Sequence, residues 1–246
     1  MTAFFEAFLF PNDVEQSDLI NSSYIAEDCK GLVDITRKFD GVELNTEYLF
    51  GMFLIANSTE YVSFNIIGFP SSFTITEFVG NCDVAHTSAI VNFSLPFLDD
   101  YIIPIQIDAT TRLNSLGQVE EYAAIFVRFE WAYNITNSLY AMKLANSDVV
   151  TQEGIDMVKM KAVESICQVH EDYCAGTPYG QYYSTEQCKD YLFSYTRFGE
   201  SYEGGMNTVF CRTLHQNMVK ERPSVHCAHI GPSGGDMCTD ADRDYD

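Results

Sequence analysis

The cysteines of this 246-residue chain are very unevenly distributed. Six of the eight lie between residues 167 and 238, and only Cys29 and Cys82 precede that segment. An even number of clustered cysteines, with no Cys-x-x-Cys pair, is typical of disulfides rather than of a zinc ribbon. We predict a Cys29–Cys82 bridge and three bridges among the later six; a reduced cytosolic protein with incidental thiols is the alternative. The later six are Cys167, Cys174, Cys188, Cys211, Cys227 and Cys238.

The charge balance restricts the partners of the chain. Fourteen basic residues face 35 acidic ones, which gives a formal net charge of -21. Such a polyanion repels phosphate backbones, so we expect neither nucleic acid nor an anionic membrane surface as a partner. No apolar run is long enough to span a membrane. The hydrophobic share of 46%, with 18 Phe and 15 Tyr, is sufficient for a large folded core.

Four Asn-x-Ser/Thr tripeptides agree with an oxidising, extracellular location. Their asparagines, Asn21, Asn57, Asn92 and Asn134, fit the glycosylation pattern and are expected to be exposed. The first residues lack the basic segment of a signal peptide, so we interpret the chain as a mature or recombinant form of a secreted glycoprotein.

The hydrophobic pattern divides the chain into two parts. Helical patterns at 19–28 and 44–54 precede segments with a period of two, and a turn signal at 114–117 joins the last two of these into a long hairpin. These features predict a curved antiparallel sheet with helices. The predicted strands are 61–67, 73–78, 87–95, 102–113 and 118–133.

The second part is predicted to be helical. Helices are expected at 151–172, from a capping box at Ser184, and at 207–220. We therefore predict an α+β protein with a sheet-containing part at 1–143 and a Cys-rich helical extension at 144–246.

The hairpin motif resembles a known family. Asn114, Gly117, Val119 and Tyr122 form an N-x-x-G-x-I/V-x-x-Y stretch, which is similar to the last hairpin of NTF2-like proteins in their SnoaL-like form. The resemblance covers about residues 3–133. It implies a cone-shaped α+β domain whose open end is a pocket, used either for acid–base chemistry on polycyclic substrates or for binding. The Cys-rich remainder is similar in character to extensions of secreted fungal proteins.

Three residues are candidates for acid–base chemistry in such a pocket. His86 precedes a predicted strand and could act as a general base. Asp108 shares a strand face with Gln106, opposite Ile103 and Ile107, and that polar face is either solvent or the cone interior. Tyr48 could donate a hydrogen bond to a ligand. Each residue also has an ordinary structural interpretation, as a surface or core side chain.

Other side chains are expected to line the cone. They come from the apolar helix and from the concave faces of the strands, where half of the side chains point inward. The predicted ligand-binding residues are Phe50, Phe64, Phe93, Gln106 and Phe126.

Three histidines lie among the late cysteines. His215, His226 and His229 would suffice to bind a transition metal, because three imidazoles form a known ligand set. We favour a disulfide knot in which these side chains satisfy turns, and the sequence alone leads us to assign no metal ligand.

The preferred function is therefore extracellular binding of a small apolar or aromatic metabolite, with pigments among the candidates. A cyclase, isomerase or dehydratase using His86, Asp108 and Tyr48 is the alternative. A structural or defence protein without a ligand is a third possibility. The sequence indicates no particular cofactor or oligomeric state.

Overall fold

The computed structural model describes residues 1–54 and 64–240. In this part of the chain eight α-helices and six strands follow one another. The helices are α1 (Thr2–Phe8), α2 (Asn12–Asp18), α3 (Val42–Thr46), α4 (Phe129–Ala145), α5 (Gln152–Tyr173), α6 (Thr185–Ser194), α7 (Val209–Val219) and α8 (Pro223–His229). The strands are β1 (Ile25–Val33), β2 (Lys38–Asp40), β3 (Phe69–Asn81), β4 (Val84–Leu95), β5 (Tyr101–Leu113) and β6 (Val119–Val127). A π-helical turn at Glu47–Gly51 continues α3.

The strands form a single mixed sheet in the order β2-β1-β6-β5-β4-β3. Every neighbouring pair is antiparallel except β1 and β6, which are parallel. Register shifts interrupt the β3–β4 pairing at Pro70/Ser72 and Ile75/Glu77, and such bulges increase the twist of a sheet. The predicted α+β class is confirmed, and the sheet is mixed rather than purely antiparallel.

The helices before β3 and the helices after β6 pack in different places. The former cover one face of the sheet, which we call the inner face and which carries Ile107, Ala109 and Ala124. The latter form the helical extension, in which α5 packs against α4, α6 and α7. Buried side chains from both parts join in one contiguous core. Within the described residues, no helix has the length and apolar character needed to cross a membrane.

Helices α5 and α7 confirm the predicted helices in the extension. Thr151 caps α5 by accepting a hydrogen bond from the Gly154 amide, and Thr208 caps α7 in the same way through the Cys211 amide. Ser184 likewise caps α6. These side chains satisfy amides that have no partner within the helix, which explains why the boundaries could be predicted.

Three secondary-structure predictions for the first part differ from the structure. Residues 118–133 do not form one strand, because Arg128 adopts a left-handed conformation with φ 57° and α4 begins at Phe129. The segment 19–28, expected to be helical, contributes the start of β1, which pairs with the distant β6. The predicted strand 61–67 lies partly outside the described residues, and Phe64–Ile67 is not a strand.

All three observed disulfides lie in the extension and join the six late cysteines, as predicted. They are Cys167–Cys188, Cys174–Cys227 and Cys211–Cys238. The predicted Cys29–Cys82 bridge was wrong, since both thiols are free. Cys29 lies on β1, and two strands separate β1 from the β3–β4 turn that holds Cys82. This strand order separates the two cysteines by about 14 Å across the sheet, which is beyond the reach of a disulfide.

Exposure of the predicted glycosylation sites can be checked at three positions. Asn21 and Asn134 are exposed, and Asn92 is partly exposed. Asn57 lies outside the described residues. Attachment of sugar stays a prediction.

The free thiols generate the first testable prediction. Cys29 is fully buried, and burial together with nearby acidic groups raises its pKa to about 12, whereas Cys82 is exposed. The folded, unreduced protein should therefore react rapidly with a chromogenic thiol reagent at one thiol, and the unfolded protein at two. Cys82→Ser is the control and should remove the rapid reaction. An unfolded protein without any free thiol would restore the Cys29–Cys82 bridge.

An isolated carboxyl group is buried in α2. Asp13 is 1% exposed, and its Oδ2 has no hydrogen-bond partner within the described residues. Burial raises the pKa of Asp13 from 3.8 to about 7. Because the folded pKa exceeds the unfolded one, Asp13 destabilises the fold as the pH rises from 3.8 to about 7, and the full cost remains above that range.

Substitution of this carboxyl should therefore be stabilising at alkaline pH. The difference between the two pKa values corresponds to about 4 kcal/mol. Since a buried amide also needs partners, we expect Asp13→Asn to increase the free energy of unfolding by roughly 2 kcal/mol above the folded pKa and little below pH 3.8. Denaturant titration over this pH range is the measurement, with the exposed Asp18→Asn of the same helix as control. A pH-independent effect would contradict the assignment.

Candidate functional site

A cavity of about 70 Å³ lies between the inner face of the sheet and the helices that cover it. Strand alternation places every second residue of β5 and β6 in its wall, and α1 and the turn after α3 close the other side. The lining residues are Met1, Phe4, Phe5, Phe8, Val33, Ile35, Tyr48, Leu49, Met52, Phe53, Ile107, Ala109, Thr111, Val119, Tyr122, Ala124 and Phe126.

The polar groups of this wall are three hydroxyls, on Tyr48, Thr111 and Tyr122. No carboxylate or imidazole belongs to the lining within the described residues. The Tyr122 hydroxyl has no hydrogen-bond partner there, and burial raises the pKa of both tyrosines well above the usual value. Both phenols are therefore protonated at neutral pH, and the surface of the cavity itself is almost entirely apolar and aromatic.

The predicted ligand-binding residues are only partly brought together. Phe126 and Tyr48 line the cavity. Phe50 and Phe93 pack behind the wall, with ring centroids 5.7 Å from Phe4 and 5.3 Å from Phe53, respectively. Phe64 lies elsewhere, against Phe97 and Tyr140. The aromatic residues of α1 that line the cavity were not predicted, although the apolar run at 4–10 was the available signal.

His86, Gln106 and Asp108 lie on the outer face of the sheet, away from the cavity. Their positions alternate with the buried Ile105 and Ile107, which occupy the inner face. The sequence left this polar face open as either solvent or the cone interior, and the structure places it on the outer face, since Ile105 and Ile107 occupy the inside.

The hydrogen bonds of Asp108 also remain on the outer face. Asp108 Oδ1 accepts hydrogen bonds from Ser88 Oγ at 2.5 Å and from Gln106 Nε2 at 2.9 Å. Partial burial acts to raise the pKa of Asp108, but these hydrogen bonds dominate and lower it. His86 Nδ1 lies 3.3 Å from Thr110 Oγ1. Asp108 and His86 therefore belong to a polar strand face that is in contact with solvent.

A cluster of buried histidines lies directly behind the cavity wall. His215 comes from α7, and His226 and His229, three residues apart, come from one face of α8. These three residues are between 1% and 3% exposed. The Nδ1 atoms of His226 and His229 are 3.1 Å apart, and those of His229 and His215 are 3.2 Å apart.

The opposite ring nitrogens of the cluster each contact a polar group. His215 Nε2 forms a hydrogen bond of 2.8 Å with the Tyr48 hydroxyl, and His229 Nε2 forms one of 2.8 Å with Asp236 Oδ1. His226 Nε2 lies 3.2 Å from Glu47 Oε1, although not aligned for a hydrogen bond. Tyr48 thus belongs both to the cavity wall and to the cluster.

The charge balance around the histidines follows from burial and from neighbouring groups. Burial lowers the pKa of His215 well below its usual value, and burial with the neighbouring His226 lowers that of His229 to about 4. Arg222 forms ion pairs with both Glu43 and Glu47. The negative charge of the buried Glu47 is therefore partly neutralised by an arginine outside the cluster.

The link between Tyr48 and His215 can be tested through stability. Tyr48→Phe leaves the stacking on Phe39 intact, since only the hydroxyl is lost, but it leaves His215 Nε2 without this partner. We expect the free energy of unfolding to fall by about 1–2 kcal/mol. Denaturant titration is the measurement, and Tyr101→Phe, at an exposed tyrosine, is the control. Equal stability of wild type and Tyr48→Phe would show that the hydrogen bond is not formed in solution.

The fold and the site together define a class of protein: an α+β chain with an apolar cavity on its sheet and a disulfide-bridged helical extension. The model of the BfoA N-terminal domain matches residues 2–124, and that of the BfoA family C-terminal domain matches residues 128–241. The chain therefore belongs to the BfoA family. The predicted domain boundary at 143/144 stays a prediction.

Curated relatives extend over almost the whole chain. Bifonsecin B biosynthesis cluster protein A of Aspergillus brasiliensis is 36% identical over 99% of this chain and 79% of its own length. Aurasperone B biosynthesis cluster protein A of Aspergillus niger is 35% identical over 99% of this chain and 77% of its own length. The chain is thus similar to fungal proteins of secondary-metabolite biosynthesis clusters.

Solved structures resemble about half of the chain. A candidate SnoaL-like polyketide cyclase from Shewanella putrefaciens covers 50% of this chain and 75% of its own, with a TM-score of 0.36 and 12% identity. An uncharacterised protein with a cystatin-like fold from Silicibacter pomeroyi covers 58% and 88%, with a TM-score of 0.36 and 11% identity.

Proposed function

We propose that this protein binds a small aromatic metabolite in the cavity on the inner face of its sheet. The observation that carries the proposal is the composition of the cavity wall, which is apolar and aromatic apart from three residues that carry a hydroxyl group. An apolar pocket with a few convergent polar groups is the usual form of a small-molecule site. The buried Tyr122 hydroxyl has no partner in the described chain and becomes a donor for a ligand oxygen only when the wall opens.

The size of the cavity implies that part of its wall must move. Its volume of about 70 Å³ is smaller than the ~150 Å³ of a dry engineered cavity that holds benzene. Helix α1, which has only seven residues, supplies three of the lining residues, Phe4, Phe5 and Phe8, and Met1 directly before it supplies a fourth. A helix this short is not stable alone, so its position depends on packing. We infer that α1 fills the cone and that a ligand displaces it.

The class of ligand follows from the wall and from the relatives together. Aromatic walls favour flat aromatic rings through stacked and edge contacts. The relatives are named for biosynthesis clusters of bifonsecin B and aurasperone B, so a pigment-like aromatic product or intermediate of such a cluster is the proposed ligand. The three disulfides favour an oxidising compartment, and we propose that the protein is secreted.

A cavity-filling substitution tests this proposal. Ala124 lines the cavity, and Ala124→Leu places three further carbon atoms in it. We expect affinity for neutral hydroxynaphthalenes and hydroxyanthraquinones, measured by isothermal titration calorimetry, to fall by at least about tenfold, which corresponds to roughly 1.4 kcal/mol. The matched control is Ala123→Leu, because the adjacent residue points to the outer face and should leave affinity unchanged.

Two outcomes would contradict binding in the cone. If the ligand binds elsewhere, filling the cavity has no effect, so equal affinities of Ala124→Leu and wild type reject the site. Absence of binding by wild type to every member of this ring series, with a correctly folded protein by circular dichroism, rejects the ligand class.

One observation favours a catalytic function as the second candidate. The Tyr48 hydroxyl in the cavity wall is hydrogen-bonded to His215, which provides a Tyr/His pair for proton transfer to a bound ring. This pair replaces the predicted His86 and Asp108 in a cyclase, isomerase or dehydratase. Tyr48→Phe distinguishes the two functions: ligand affinity should persist in both cases, whereas turnover of a polyketide substrate would be lost only in an enzyme.

A further inference from the structure

The three clustered histidines present nitrogen atoms to one another that cannot all be hydrogen-bonded. His229 Nε2 contacts the Asp236 carboxylate at 2.8 Å and must carry a proton to do so favourably, which leaves His229 Nδ1 of the neutral ring with one lone pair. That single atom faces the Nδ1 atoms of both His226 and His215, at 3.1 Å and 3.2 Å. One lone pair accepts one well-formed hydrogen bond, so one of the two contacts is unexplained.

The position of Glu47 makes the contact with His226 still less favourable. His226 Nε2 lies 3.2 Å from the buried Glu47 carboxylate, and a lone pair on that nitrogen would face a negative charge. A proton on Nε2 removes this repulsion but leaves the Nδ1 atom of neutral His226 with a lone pair directed at His229 Nδ1. Two nitrogen lone pairs at 3.1 Å repel each other unless a cation lies beside both.

The geometry points to a divalent transition-metal ion, Zn²⁺ in the first place, bound by the Nδ1 atoms of His215, His226 and His229. One ligand atom from each ring lies within 4.8 Å of the others. In a tetrahedral zinc site with Zn–N bonds of 2.0–2.1 Å, ligand atoms are about 3.3 Å apart, close to the two observed Nδ1–Nδ1 distances. Imidazole is a preferred ligand of such borderline ions.

The outer contacts of the three rings have the form that metal-bound histidines require. Metal-ligating imidazoles usually donate their other N–H group to a carboxylate or another acceptor, which fixes the tautomer and the ring orientation. Here Glu47 and Asp236 lie against two rings and the Tyr48 hydroxyl against the third. These three side chains are positioning residues for the ligands; Glu47 and Tyr48 are adjacent in sequence, and Asp236 lies far from both.

The neighbouring cysteines do not complete the ligand set in this structure. Cys211 and Cys238 lie close to His215, but they form a disulfide and offer no thiolate. Three histidines without a fourth protein ligand correspond to zinc sites that keep one position open. Because Tyr48 contacts both His215 and the cavity, the ion would lie directly behind the wall of the apolar cavity.

Metal binding by the full-length, oxidised protein tests this proposal. The protein is stripped with a chelator, dialysed against Zn²⁺ or Co²⁺ and analysed by mass spectrometry for metal content. We expect one ion per chain, and for Co²⁺ the visible d–d absorption of a nitrogen-ligated ion of low coordination number. The variant with all three histidines changed to alanine should lose both signals, while His86→Ala, which changes a histidine outside the cluster, should retain them.

A second variant separates metal affinity from folding. Loss of buried imidazoles can itself unfold the extension, whereas the Asp236 side chain is largely exposed. Asp236→Asn should therefore fold normally and bind Zn²⁺ about 10–100-fold more weakly in competition with a chromogenic chelator. Asp148→Asn, at an exposed aspartate of the α4–α5 connection, is the control and should bind as wild type does.

Either of two results would reject the proposed metal site. Stripped wild type that takes up neither ion, or uptake that is the same in wild type and in a folded triple-histidine variant, rejects it. Unchanged Zn²⁺ affinity in Asp236→Asn rejects the role of Asp236 and, with it, the proposed orientation of His229.

Discussion

Helix α7 is buried on every side, and the polar side chains on it therefore all need hydrogen-bond partners inside the protein. All eleven residues of Val209–Val219 are buried, including Arg212, Gln216 and Asn217. A buried polar group without a partner costs free energy, so each of these side chains restricts what can surround the helix. Arg212 donates hydrogen bonds to the carbonyl oxygen of Gly231, and Asn217 to that of Met52.

The hydrogen bonds of the buried polar residues on α7 also connect the two parts of the chain. Gln216 donates to the carbonyl oxygen of Phe64 and accepts from the hydroxyl of Ser165, which in turn accepts from the Phe64 amide. A residue preceding β3, one from α5 and one from α7 thus satisfy one another. The position of α7 is therefore set by hydrogen bonds as well as by apolar packing, and so is the position of His215 relative to the cavity wall.

The features that could be predicted from the sequence are those determined locally. The caps of α5 and α7 and the alternation in β4 and β5 depend on residues a few positions apart. The start of β1 was mistaken for helix because its partner, β6, lies about 90 residues away along the chain. The strand face of Asp108 was ambiguous for a related reason, since alternation specifies two faces but not which one the helices cover.

In the candidate site, too, the residues close in sequence could be predicted and those distant in sequence could not. The three histidines were recognised together, because they lie close in sequence. Glu47, Tyr48 and Asp236 could not be assigned to them, since two of these residues are more than 160 positions from the histidine they contact. Only the folded chain shows that every ring has an outer polar neighbour, and this observation changes the interpretation from a disulfide knot to an ion site.

The distribution of the disulfides has a consequence for the order of assembly. All three bridges lie within the extension, and none of the eight cysteines, all of which belong to the described residues, links the extension to the sheet. The sheet-containing part emerges first during synthesis and needs no oxidation of its own thiols. Until the extension docks, however, the Met52 carbonyl lacks its partner on α7, and the Glu47 carboxylate lacks Arg222 and His226 at α8. Oxidative folding of the second part is thus the step that completes the core of the first.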